Sequence, residues 1–216
     1  MLIMCQMKEY FEFLRMAEGL KIETHKIKLS TGADGSVAGH SWAMGLFAIL
    51  FYDKLRAKVD IGHALKLIIV HDLAESLAGD IALSRQKSPE VEARKHHAER
   101  VAIKKMIAVL PQEKGDEIMS LWEEYNAMET PESKFVKACD KLEGMVQSLM
   151  FKNVSYWEEY GEPGFYFDDR INRRRERFWK HEPVLIEFYE YLRDITIERM
   201  NDEGFDYKKY LDGGVE

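Results

Sequence analysis

A chain of 216 residues, 46% apolar and 32% charged, suits one globular domain, or one domain with an extension, and has material for a sizeable core. Its net charge of −7 excludes a general affinity for nucleic acid or an anionic membrane, though not for a small phosphate-bearing ligand, which one local cation can hold. Two cysteines, Cys5 and Cys139, make no disulfide framework and fit a reducing compartment.

The opening "MLIMCQMKEY" is apolar but short, lacks a basic region and runs straight into charge, so it does not read as a signal peptide. The expected location is the cytoplasm. "MKEYFEFLRMAEG" then spaces Phe11, Leu14 and Ala17 about one turn apart, with Gly19 as a stop, and predicts a first helix. Residues 20–36 read as a loop, marked by Thr31, Gly32, Asp34, Gly35 and Ser36. A second helix is expected over 37–55. It contains the longest nearly apolar stretch, "WAMGLFAILFY", which falls short of the roughly 20 residues a bilayer requires. No membrane partner is expected. A third helix begins after Asp60, an N-cap, and runs to about Leu77, before Gly79.

"SPEVEARKHHAERVAIKKMIAVLP" carries the marks of a long helix: Ser88 as cap, Pro89 at the first position, Pro111 beyond the end. "EIMSLWEEYNAM" is another. "TPESKFVKACDKLEGMVQSLMF" opens on Thr-Pro and lines up Phe135, Cys139, Leu142, Val146 and Leu149 on one stripe. After Asn153 the stretch "SYWEEYGEPGFYFDDR" is aromatic, acidic and irregular, and "EPVLIEFYEYLRDITIERM" forms a last amphipathic helix. No alternating strand pattern stands out. The expected fold class is all-α, with a domain over residues 1–153 and a C-terminal helical extension, 154–216, packed on it.

The chemistry concentrates in "LKLIIVHDLAESLAGDI", residues 65–81. A buried helix gains nothing from His71, Asp72, Glu75 and Asp80 unless something balances their charge, because desolvating each costs free energy. Imidazole nitrogen and carboxylate oxygen together suit a divalent transition metal. His71 and Asp72 point about 100° apart, yet both can reach a point in the groove beside their helix. Two ligands are too few. His40, in "SVAGHSWAM", and Asp140, in "FVKACDKLEGM", are the best-placed partners and would leave open positions on a six-coordinate ion for a water and a substrate oxygen.

The order H…HD…D, with "HDLAESLAGD" and "KACDKLE" around its later members, resembles the HD-domain metal-dependent phosphohydrolases, and among them the 5′-deoxynucleotidase branch. The likeness runs from about Leu14 to Phe151. It implies one divalent ion (Mn, Co, Fe, Ni, Zn or Mg) held by His40, His71, Asp72 and Asp140. A metal-bound water would attack the phosphorus of a nucleoside 5′-monophosphate, releasing nucleoside and phosphate. Glu75, one turn after His71, and Asp80, just past Gly79, are implied as catalytic. A homodimer is implied as well.

On the substrate side the family often carries an Arg-Trp pair. Counted back from His40, those places hold His25 and Lys26, which with Ser36 are the expected substrate contacts; Gly35 and Gly39 stand where acidic residues are usual. Two other readings remain open. One is hydrolysis of a nucleoside triphosphate or nucleotide pyrophosphate; the other, motivated by the altered loop, is a metal- and nucleotide-binding protein without catalysis. His96 and His97, with Glu92 and Glu99 nearby, suggest a second metal site but read as a solvated face, as does the run from Arg170 through Arg173, Arg174, Arg175 and Arg177 to Lys180. Trp42, Trp122 and Trp157 read as packing residues.

Overall fold

The computed structural model describes residues 2–80, 89–151 and 178–204. Ser88, Trp157, the irregular acidic stretch and the arginines of the 170–180 run lie outside the described residues, as does the Lys26 side chain.

Side-chain caps set where the main helices begin. After α1 (Leu2–Ala17), Ser36 Oγ accepts from the Gly39 amide at 3.0 Å and opens α2 (Val37–Phe51). Asp60 opens α3 (Ile61–Val70) as expected, accepting from the amides of Gly62 and His63 at 2.8 and 3.2 Å. Thr130 does the same for the Ser133 amide at 3.1 Å, with Pro131 at the first helical position of the later helix Pro131–Met150.

Two expected boundaries shift. The second helix ends at Phe51 rather than 55, in a 3-10 turn over Tyr52–Lys54. The third does not run on to Leu77: it ends at Val70, residues 71–74 form turns, and a short α4 (Glu75–Ala78) follows. Gly79, at a φ of 76°, closes it.

Residues 20–36 are not all loop. A 3-10 turn at Glu18–Lys21 leads to a hairpin of β1 (Thr24–Lys28) and β2 (Asp34–Ser36), antiparallel with Thr24 opposite Ser36 and Lys28 opposite Asp34. "THKIK" and "DGS" are too short and too polar to show an alternating pattern, so the hairpin leaves no trace that periodicity can find. The remaining described helices are α5 (Pro89–Ile107), α6 (Gln112–Ala127), α7 (Pro131–Met150) and α8 (Pro183–Asp202). The all-α class holds, with one small hairpin.

The core forms where α2, α3 and α7 meet, from Met44, Ala48, Leu67, Ile68, Val136 and Leu142, all at most 1% exposed. Ile103 and Met106 of α5 and Trp122 of α6 join it on one side. From the extension, α8 joins on another, with Phe188 at 5.4 Å from Phe47 and 5.0 Å from Phe51, ring centre to ring centre. Gly19 does not stop a helix. It allows the 3-10 turn to approach α4, where a Cβ would lie 2.8 Å from the Ser76 carbonyl oxygen. No helix among the described residues is long and apolar enough to cross a membrane.

Candidate metal centre

His40 sits in the first turn of α2 and His71 caps the C-terminus of α3. Each imidazole has its Nδ1 engaged. His40 Nδ1 donates to Glu143 Oε2 at 2.5 Å, and His71 Nδ1 donates to the Ile68 carbonyl at 2.7 Å. A carbonyl and a carboxylate only accept, so both Nδ1 atoms donate there, and Nε2 is the nitrogen each ring has left for a ligand. Those Nε2 atoms are buried and have no hydrogen-bond partner.

Carboxylates stand beside them. Asp72 Oδ2 lies 2.9 Å from His71 Nε2, and Asp140 Oδ1 lies 3.6 Å from His40 Nε2; the two rings are 5.7 Å apart. Buried polar atoms are rarely left unpaired. Two orphaned imidazole nitrogens, each beside a carboxylate and each held by its other nitrogen, fit a divalent cation. The four expected ligands therefore come together, as two pairs. Tyr125 donates its hydroxyl hydrogen to Asp140 Oδ2 at 2.7 Å, and Lys141 Nζ stands 2.9 Å from the same oxygen.

His25 was expected to face substrate. It lies against the centre itself, its ring parallel to that of His40 at 4.0 Å. His25, His40 and Asp72 offer ligand atoms all within 4.8 Å of one another, and so do His25, Glu75 and Asp80. Burial, and then His40, lower the His25 pKa to about 3, so the ring is neutral at ordinary pH. At His40 burial also favours the neutral ring, but Asp140 and Glu143 outweigh it and raise the pKa to about 10. Burial disfavours the charged carboxylate at Asp140, yet Lys141 and His40 hold its pKa well below the usual range; at Asp72, His71 does the same.

The second cluster surrounds an ammonium. Lys95 Nζ, from α5, stands 3.1 Å from Glu75 Oε1, 3.4 Å from Glu99 Oε1 and 3.7 Å from Asp80 Oδ1. Glu75 Oε2 is buried with no partner. Burial and the neighbouring Asp72 push the Glu75 pKa up to about 9, against the pull of Lys95. Asp80 Oδ2 lies 3.8 Å from His25 Nδ1, so His25 spans both clusters.

Of the remaining expected contacts, Ser36 spends its hydroxyl on the α2 cap. His96 lies parallel to Trp122 at 5.2 Å, and among the described residues no ligand cluster forms around it. Trp122 packs as expected, but Trp42 does not: it is 69% exposed on the outer side of α2. Glu143, Tyr125, Lys95 and Lys141 were missed. Glu143 had a signal, since it follows Asp140 by three residues and shares its helix face. Tyr125 and Lys95 had none, because only the fold brings α6 and α5 to the centre.

The family model described as HD domain matches residues 17–181. The 5′-deoxynucleotidase HDDC2 of Xenopus laevis is 32% identical over 149 residues, which is 68% of this chain and 71% of that protein. The human 5′-deoxynucleotidase HDDC2 is 30% identical over 151 residues, 69% of this chain and 71% of that protein. A crystal structure described as a predicted metal-dependent phosphohydrolase from Magnetospirillum magnetotacticum superposes with a TM-score of 0.75 at 22% identity, covering 93% of this chain and 98% of the other, a likeness of fold.

Proposed function

Because this chain belongs to the HD-domain family, we propose that it is a metal-dependent phosphohydrolase that converts nucleoside 5′-monophosphates to nucleoside and phosphate, with one divalent ion held by His40, His71, Asp72 and Asp140. The observation that carries this reading is the pair of buried, unpartnered Nε2 atoms, each facing a carboxylate. A divalent cation bound there lowers the pKa of a coordinated water and neutralises phosphoryl oxygens. Which ion serves is decided as much by availability as by this donor set.

The protein's own groups do the rest. Glu143 and the Ile68 carbonyl keep the two imidazoles turned inward. Glu75, with its pKa near 9, keeps a proton at neutral pH and can give it to the departing 5′ oxygen as the P–O bond breaks and water oxygen joins phosphorus. Asp80 and Lys95 hold that carboxyl in place. His25, neutral and central, contacts the substrate phosphate through a ring N–H. Lys26 follows His25 on β1, and Ser36 lies on β2 of the same hairpin.

We also read the protein as cytoplasmic, in keeping with the buried free thiol of Cys139. We further infer a homodimer joined through the outer face of α2, where Trp42, Leu46, Ile49 and Leu50 are exposed on a helix apolar on all sides.

The test is a panel of deoxy- and ribonucleoside mono- and triphosphates incubated with the protein and Mn²⁺, Co²⁺ or Mg²⁺. Phosphate released from monophosphates is the expected result, and the panel reads the sugar preference directly. Pyrophosphate or triphosphate released from the triphosphates in its place would transfer the chain to the other hydrolase class. Metal binding with no product at all would make it a binding protein.

A further inference from the structure

A phosphate monoester reaches this centre as a dianion, yet the walls it meets are carboxylates: Asp72, Glu75, Asp80 and Asp140. Besides the metal, it needs a cation that is not already committed. Lys95 is enclosed by Glu75, Asp80 and Glu99, and Lys141 is paired with Asp140. On the hairpin, Lys28 Nζ lies 2.5 Å from Asp34. One further lysine faces the same region. Lys137 precedes Asp140 and Lys141 by three and four residues on α7, and so shares their helix face.

The surroundings of Lys137 differ from those of the other lysines. Its ammonium rests 3.8 Å above the centre of the Tyr125 ring. That ring links it to the metal ligands, since the Tyr125 hydroxyl bonds Asp140 at 2.7 Å and the ring meets His71 edge-on at 5.1 Å. Among the described residues no carboxylate stands within ion-pair distance of Lys137, whereas Lys95 and Lys141 both have one. An aromatic face stabilises an ammonium without neutralising it, so its charge stays available to an anion.

We propose that Lys137 is the phosphate anchor of this site, its ammonium binding the non-bridging oxygens of the substrate phosphate and then of the inorganic phosphate product. The inference rests on the hydrolase reading above. In a half-buried position the ammonium–phosphate attraction is stronger than in water, and the tyrosine platform fixes its direction. Burial lowers the Lys137 pKa to about 8, which leaves most of the population charged at neutral pH.

The experiment uses the full chain loaded with Mn²⁺, as wild type, Lys137→Met and Lys137→Arg. Affinity for inorganic phosphate is measured by calorimetry, Mn²⁺ affinity by titration, and KM and kcat on a nucleoside monophosphate. The expected result for Lys137→Met is phosphate affinity weakened about tenfold or more and KM raised to match. Its kcat should change less and its Mn²⁺ affinity should not change, while Lys137→Arg recovers most of the loss. Should Lys137→Met not fold, Lys137→Gln takes its place.

Phosphate affinity equal to wild type in the uncharged variant would overturn the proposal. So would a joint loss of Mn²⁺ and phosphate, which would mean Lys137 acts only by supporting Tyr125 and Asp140. Wild-type protein that binds phosphate through Lys137 but releases none from any nucleotide would sink the hydrolase reading and leave the anchor standing. Wild-type turnover with unchanged kinetics in Lys137→Met would sink the anchor alone.

Discussion

A histidine ligates a metal through whichever nitrogen lacks a proton, and at His40 and His71 the partner of Nδ1 decides which one that is. For His71 the decision is made by backbone, the Ile68 carbonyl, and no substitution removes it. For His40 it is made by a side chain, Glu143, so it can be tested. Glu143→Gln keeps the shape and drops the charge. Mn²⁺ affinity should fall about 10-fold to 100-fold with little change in melting temperature, read by titration calorimetry on both proteins. The environment of Glu75 makes a second prediction. Because its pKa is raised, the proton is present below about pH 9 and lost as pH climbs through that value, so kcat should hold and then fall on the alkaline side. In Glu75→Gln the alkaline limb should vanish and kcat should drop by about 10²–10⁴-fold, measured as a pH–rate profile. At this scale the sequence was informative about residue types with unusual neighbours. "HDLAESLAGD" pointed to His71 and Asp72, the place of His40 on the preceding helix made it a partner, and apolar flanks singled out Asp140. Tyr125 and Lys95 lie in stretches that read as ordinary amphipathic helix, so nothing local could mark them.

Among the elements, the break after Val70 matters most to the site. A continuous helix through residue 77 would swing Glu75 around the axis with His71. The turns at 71–74 instead let α4 restart and set Glu75 beside Lys95. The sequence held no proline or glycine to announce this break, and the periodicity of "LKLIIVHDLAESLA" continues across it. The hairpin was illegible for the opposite reason, being too short to have a period. The 3-10 turn that leads into the hairpin meets α4 at Gly19, where backbone comes close to Ser76. Gly19→Ala places a methyl 2.8 Å from a carbonyl oxygen, which only a movement of backbone can relieve. The variant should lose about 1–3 kcal/mol in urea unfolding. Its kcat should fall as well, because α4 carries Glu75.

For the whole molecule, apolar material is distributed unevenly. The inner side of α2 is sealed against α3, α7 and α8, while its outer side leaves Trp42, Leu46, Ile49 and Leu50 uncovered. Helical periodicity read the all-α class correctly, but it could not separate the buried side of a helix apolar all round from its exposed side. Trp42→Glu combined with Ile49→Glu should leave the fold and metal affinity intact and shift the species seen by light scattering from dimer to monomer. A monomeric wild type would remove the inferred interface without touching the active site. The joining of α2, α3 and α7 matters more, since it brings His40, His71, Asp72 and Asp140 from distant parts of the chain to one place.

That convergence is tested most directly by stripping the protein of metal, restoring Mn²⁺, and following phosphate release from a nucleoside 5′-monophosphate by wild type and by Asp72→Ala. Release by the restored wild type, and by neither the stripped protein nor the variant, is the predicted result. Equal release from wild type and Asp72→Ala would contradict it.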